Sequence, residues 1–230
     1  VSKLNKKSNF PIIYLSHNEG GFGCISRNIA AKKAKYKFIA FLDDDDLWHE
    51  DYIFHVRKKL KKIKKTKIIY TWWVYFNEKG TFPGKKIIEN LKISKWFVYN
   101  PGSVISNLVV EKKLFLDLNG FDEDVHPPYD KDFIIRALSR DIKYEVIKKP
   151  LVFFRISNHQ RESSRSRRNF SGQIKFYMKH KNLMNLYEQI HFLVKTLSMM
   201  SNKNFTIIER LISFFCAKTL RLLSIIKNVF

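Results

Sequence analysis

The chain has 230 residues, 45% of them hydrophobic and 15% aromatic, enough for one large α/β domain and inconsistent with a disordered segment. Its formal net charge of +22 calls for an anionic partner, whether nucleic acid, anionic lipid or a sugar nucleotide, without choosing among them. Two cysteines, Cys24 and Cys216, indicate neither a disulfide framework nor a zinc site, and no run reaches the roughly eighteen apolar residues of a membrane span.

In chain order, residues 10–15 predict a strand whose Pro11 suits its first positions or an edge. A glycine-rich turn at residues 18–23 precedes a helix over 24–34; its glycines can present N–H groups to phosphate but lack a full phosphate-loop spacing. Residues 38–42 predict a short, fully buried strand, and Asp43, Asp44, Asp45 and Asp46 follow at once. Ligands in an open α/β sheet collect beyond the carboxyl ends of strands, and adjacent carboxylates repel one another unless a hard cation such as Mg²⁺ or Mn²⁺ relieves them. The same run can also be an acidic turn that caps the next helix.

That helix is expected over residues 49–65, apolar at Tyr52, Ile53, Val56, Leu60 and Ile63 and lysine-rich elsewhere, a solvated face or a binding one. Residues 67–76 predict a central strand turned by residues 77–80. A short helix at 87–95 follows, with Trp96, Phe97 and Tyr99 as core or as the wall of an acceptor pocket. A strand over 102–110 leads to a helix over 111–118 closed by Asn119-Gly120. Asp130 and Asp132 sit where another helix begins and can be its caps. Two short strands, 143–147 and 151–155, flank Pro150, and residues 161–168 predict a mobile polar loop, a diphosphate cover or a linker. Three helical segments end the chain, over about 170–180, 182–200 and 204–228. In the last, Ile208, Leu211, Phe215, Leu222 and Ile226 form an apolar stripe opposite Arg210, Ser213, Arg221 and Ser224, suited to packing or to a membrane surface.

Several ordered motifs resemble family-two inverting glycosyltransferases of the GT-A fold. Phe41-Leu42-Asp43-Asp44-Asp45-Asp46-Leu47-Trp48 is similar to the metal-binding DXD segment of that family. Ser26-Arg27-Asn28 and the following Ala-Lys stretch are similar to its small-Arg-Asn helix, with Lys35 where Gly is usual. Gly120-Phe121-Asp122-Glu123 and Tyr129-Asp130-Lys131-Asp132 resemble its second motif pair, with Tyr129 in place of Glu; Pro150 to Arg155, followed by His159, resembles its closing motif. The resemblance covers roughly residues 10–160 and implies that the strand at 102–110 borders the acceptor site, with Ser103 and Ser106 as weak candidates there. It implies an α/β fold with a Rossmann-like mixed sheet flanked by helices, a domain at 1–168 and a C-terminal helical extension at 169–230. It implies Asp130 as catalytic base, Asp43, Asp44 and Arg27 at the donor nucleotide, Asp45 with Asp43 on a divalent metal (Mn²⁺ or Mg²⁺), and Asp46, Asp132, Arg155 and His159 in support.

The implied reaction moves a sugar from a nucleotide diphosphate, a UDP-sugar foremost, to a hydroxyl of a glycan or lipid-linked acceptor in cell-surface polysaccharide synthesis. The expected location is cytoplasmic and peripheral on the inner face of the membrane, with contact to anionic lipid and none to nucleic acid. A complete family member opens with strand, helix and strand before the segment at residue 10, so the resemblance also implies that half of the donor pocket, and with it most activity, is missing from these 230 residues. Two alternatives stand beside it: a catalytically impaired basic module that binds membrane or nucleic acid, recognisable by salt dependence without metal dependence, and a phosphotransferase that uses an aspartate of the run as nucleophile.

Overall fold

The computed structural model describes residues 11–16, 23–156, 166–201 and 205–227. Helix α1 (Gly23–Lys33) leads to strand β1 (Phe38–Ala40), and β2 (Leu47–Trp48) follows the acidic loop. Helix α2 (Tyr52–Lys62), strands β3 (Ile68–Asn77) and β4 (Gly80–Phe82), helix α3 (Ile93–Val98), strand β5 (Leu108–Glu111), helices α4 (Lys112–Asp117) and α5 (Tyr129–Leu138) and strand β6 (Glu145–Arg155) complete the sheet and its cover. Helices α6 (Arg167–His180), α7 (Leu186–Leu197) and α8 (Ile207–Lys227) end the described chain. Among the described residues the sheet has six strands in the order β1-β5-β3-β6-β2, with β4 paired to β3. Only β3 and β6 run parallel, so the sheet is mixed, as the resemblance implies.

Local pattern decides most elements. The ten-residue β3 is β-branched and aromatic, sits at the centre of the sheet, and turns at Gly80, whose φ of +120° suits a residue without a side chain. Helix α4 ends at Asn119 and Gly120, both with positive φ. An added Cβ at Gly120 would stand 2.5 Å from Asn28 Oδ1, so the glycine also admits a neighbour.

Where the structure departs from expectation, the cause lies in partners distant in sequence. Residues 11–16 form no strand, and Ile13 and Tyr14 are exposed; apolar composition alone does not make a strand unless another pairs with it. Strand β1 covers three residues at one end of the described sheet, with only Ile39 of the three buried, and Leu42 is 46% exposed. The helix expected at 87–95 begins instead at Ile93, because Trp72 Nε1 takes the Ile87 carbonyl at 2.9 Å and the Tyr144 hydroxyl takes that of Ile88 at 2.7 Å. The strand expected at 102–110 is confined to β5: the Asn107 amide donates to the Thr71 and Gly102 carbonyls, at 2.6 and 3.0 Å, and folds the preceding residues into a short 3₁₀ turn. The two strands around Pro150 are one strand, β6, in which a register shift opposite Thr71, Trp72 and Trp73 accommodates the proline.

One aromatic cluster ties the end of β1 to the start of α5. Phe41 lies 5.6 Å from Phe115 and 5.4 Å from Phe121, and Phe121 lies 5.3 Å from Tyr129. Such pairs contribute about 0.5–1.5 kcal/mol each beyond their buried area, and here they fix the acidic loop relative to Asp130. Phe176 of α6 and Phe192 of α7 belong to the same buried cluster, so these helices share the core of the sheet domain. Helix α8 packs on α7, and Ser213, opposite the apolar stripe, is buried. Ile208, Leu211 and Phe215 of the stripe are exposed, as are Ile207, Ile212 and Phe214. No helix among the described residues is long and apolar enough to cross a membrane.

Candidate active site

The acidic loop divides its labour. Asp46 is buried and accepts from Ser106 Oγ at 2.6 Å and from the Arg155 amide at 3.0 Å. Burial, with Asp45 and Asp43 adding to it, outweighs these two neutral donors and pushes the carboxyl up to about 6. Arg155 Nε donates to the Asp45 carbonyl at 2.9 Å, and its guanidinium lies 4.4 Å from the centre of the Phe76 ring. Ser106, buried, also receives the Asp43 amide at 3.1 Å, and its carbonyl accepts from Trp48 Nε1 at 2.7 Å. Asp46, Ser106 and Arg155 thus form a clasp that shapes the loop from behind. Ser103 is likewise buried, held by Asn100. Both serines are thus buried and engaged within the protein.

On the solvent side of the clasp, carboxylate oxygens of Asp43, Asp45 and Asp46 lie within 4.8 Å of one another. An all-oxygen set of this kind fits a hard divalent cation, with Asp45 and Asp43 the residues to hold it, since both Asp46 oxygens are engaged. Asp44 lies outside that group and is exposed.

Arg27 joins the two halves of the site. One guanidinium nitrogen pairs with Asp43 and the other donates to the Tyr129 hydroxyl at 2.6 Å. The next residue of α1, Asn28, forms a two-way bond with the Phe121 backbone, Nδ2 to O at 2.8 Å and N to Oδ1 at 2.9 Å, and reaches Glu123 at 2.9 Å. The Arg-Asn pair therefore explains why three motifs distant in sequence occur together. Asn28 was legible as a motif member, but its clamping role was not.

Asp130 is half-buried and faces a cavity of about 410 Å³. Burial pushes its carboxyl above the ordinary value, opposed by the Lys131 amide and by the Lys131 and Arg27 charges. A carboxylate so placed is a stronger base than one in water. Asp132, two residues on, points elsewhere. It is fully buried and meets Arg136 Nε at 2.7 Å, His180 Nε2 at 2.8 Å and Lys179 Nζ at 2.8 Å. Burial would raise it, but the bond from His180 and the Arg136 and Lys179 charges prevail and hold it at about 2. It pins α5 to α6 without capping the helix. Trp96 and Phe97 are fully buried core, although Phe97 also lines the Asp130 cavity; Tyr99 is partly exposed. His159 and most of the expected polar loop lie outside the described residues, as do residues 18–22 of the glycine turn. A cavity of about 440 Å³ at residues 118–123 touches neither the acidic loop nor Asp130.

The mixed α/β sheet has the GT-A fold, with a carboxylate loop at a strand end tied by the Arg27 guanidinium to Tyr129, the residue before Asp130. The chain belongs to the family described as glycosyltransferase like family 2, whose sequence model matches residues 2–197. It is 27% identical over 157 residues to an uncharacterised glycosyltransferase of Methanocaldococcus jannaschii, covering 67% of this chain and 54% of that protein. The chain thus spans about half the length of the curated relative it matches. Among solved structures it resembles S. aureus TarS residues 1–349 in complex with UDP-GlcNAc, at a TM-score of 0.60 and 16% identity, over 87% of this chain and 58% of that one. The UDP complex of the same protein matches at a TM-score of 0.51 and 14% identity, over 89% and 52%. At these identities the structural likeness establishes the fold.

Proposed function

We propose that the protein transfers a sugar from a nucleotide diphosphate, with a UDP-sugar as the leading donor, to a hydroxyl of a glycan or lipid-linked acceptor of the cell surface, with inversion. Asp130 takes the proton of the attacking hydroxyl as its oxygen bonds to the anomeric carbon, and the bond from that carbon to the diphosphate breaks on the opposite face. Asp43 and Arg27 lie at the donor side, with exposed Asp44 beside the nucleotide. A divalent ion on Asp45 and Asp43 would supply charge neutralisation for the leaving diphosphate. The observation that carries the reading is the Arg27 bridge, which sets the acidic loop beside the residue preceding Asp130. The solved UDP-GlcNAc and UDP complexes of TarS support the donor class. Family membership favours this chemistry over a basic module that only binds and over an aspartyl nucleophile. In the whole protein, Asp130→Asn should lower turnover by roughly 10²–10⁴-fold with donor affinity nearly unchanged. Wild-type turnover in that variant would assign the base elsewhere, and retention of anomeric configuration in the product would rule out the single displacement.

We further propose a peripheral place on the cytoplasmic face of an anionic membrane, with α8 as the contact. Its exposed Ile207, Ile208, Leu211, Ile212, Phe214 and Phe215 are accompanied by exposed Arg210, Lys218 and Arg221, the combination that binds anionic interfaces. Co-sedimentation with phosphatidylserine vesicles should fall in a Phe214→Ser, Phe215→Ser variant. Undiminished sedimentation by that folded variant would remove α8 as the anchor.

A further inference from the structure

The cavity beside Asp130 is walled by the start of α5, the end of α3 and the facing sides of α6 and α7, and the charges around it are unusual. Asp130 is the one carboxylate among its lining residues, which include Lys131 and Lys195 together with the amides of Asn100, Asn169 and Gln173. Lys131 is 9% exposed; its ammonium lies 5.3 Å from the Phe176 ring centre and 5.7 Å from that of Phe192, and it donates to the Phe97 carbonyl at 3.0 Å. Lys195 donates to the Val98 carbonyl at 3.4 Å, and Lys85 to that of Asn100 at 2.9 Å. Three ammonium groups therefore converge on the C-terminal end of one six-residue helix, α3.

Such an end carries about half an elementary charge, so it favours one cation and does not balance three. Among the described residues none of the three lysines makes an ion pair with a carboxylate. Burial, then Lys195, holds the Lys131 ammonium down at about 7 against the pull of Asp130, and burial, then Lys85, lowers that of Lys195. Lysine side chains and hydrogen-bonding amides thus share one hollow with the candidate base.

We infer that this cavity receives an acceptor that bears an oxyanion, phosphate or carboxylate, held by Lys131 and Lys195 with Lys85 at the rim while the acceptor hydroxyl meets Asp130. The inference rests on Asp130 being the base and adds the acceptor's chemical class. Lysines act as rotatable point charges with three donors each, which suits a tetrahedral phosphate as readily as a carboxylate and leaves both sources of the charge in view.

Calorimetric titration of the whole protein with glucose 6-phosphate, glucuronate and glucose tests this without any turnover. At least one charged sugar should bind about tenfold or more tightly than glucose, and whichever does so identifies phosphate or carboxylate. Lys195→Gln, an exposed substitution, should remove most of that preference, Lys131→Met should do the same, and Lys58→Gln on the distant lysine-rich helix should not. Equal binding of all three sugars, or a preference untouched by Lys195→Gln, would overturn the anion site. Release of UDP from UDP-GlcNAc, followed separately, reports on glycosyl transfer alone, so the two readings fail independently.

Discussion

The acidic loop and the start of α5 each present carboxylate to the site and bury one aspartate behind it, yet the two buried groups end in opposite states. Asp46 meets neutral donors, the Ser106 hydroxyl and the Arg155 amide, and is pushed up to about 6. Asp132 meets Arg136, His180 and Lys179 and is held at about 2. Burial acts in the same direction on both, so the charge of the partners decides the outcome. One aspartate is a hydrogen-bonding wedge that keeps its proton up to about pH 6, and the other stays an anion down to about pH 2 and ties α5 to α6. Their neighbours on the site side, Asp45 and Asp130, are thereby held in place by two different means.

The largest effect is expected at the loop. Asp45→Ala should weaken Mn²⁺-dependent UDP binding by on the order of 100-fold, measured by calorimetry in the whole protein, because the carboxylates behind it are already committed. Equal affinity in the variant would remove the metal assignment. Asp132→Asn comes next and acts on stability: leaving the Arg136 and Lys179 charges around a neutral amide should cost about 3 kcal/mol in denaturant unfolding. Its pH signature follows from the lowered value. The folded carboxyl stays ionised down to about 2 while the unfolded one protonates near 3.8, so the wild type keeps this stability above pH 4 and loses it as pH falls from about 4 to about 2. The variant should show a much shallower acid limb; an unchanged limb would mean that another carboxylate carries it.

The residues that were legible in the sequence are those whose meaning is local. Asp43 to Asp46 follow directly on an apolar run, Asn119-Gly120 closes a helix by its own backbone preferences, and the lysines of α2 repeat on the face opposite Tyr52 and Val56. The sheet was readable at β3 because ten consecutive residues share one pattern. Residues 11–16, by contrast, carry a strand's composition without a strand's pairing, and the stretch before β5 is bent by one amide, Asn107, reaching the carbonyl of Thr71. Lys131 escaped notice between two aspartates because the groups that give it meaning, Phe97, Phe176 and Lys195, arrive from three other helices. The exposed apolar side of α8 was visible as a stripe, but periodicity cannot say which side of a helix meets the protein.

Asp46→Asn gives the smallest expected effect and the sharpest contrast with Asp132. An asparagine at position 46 can still accept from the Arg155 amide through Oδ1, while its Nδ2 donates to Ser106 Oγ. That hydroxyl can rotate to receive it, having already one bond from the Asp43 amide. Both partners of position 46 therefore keep a hydrogen bond to it, and the variant also avoids the burden of a buried charge. In the wild type the folded carboxyl keeps its proton up to about 6, whereas the unfolded chain gives its proton up near 3.8, so this group makes the protein less stable as pH rises from about 4 to about 6. Measured without divalent ions, Asp46→Asn should abolish that slope and be as stable as the wild type at pH 8, or more stable by on the order of 2 kcal/mol. A loss comparable to that of Asp132→Asn would show instead that Asp46 is held as an anion, and the contrast between the two buried aspartates would collapse.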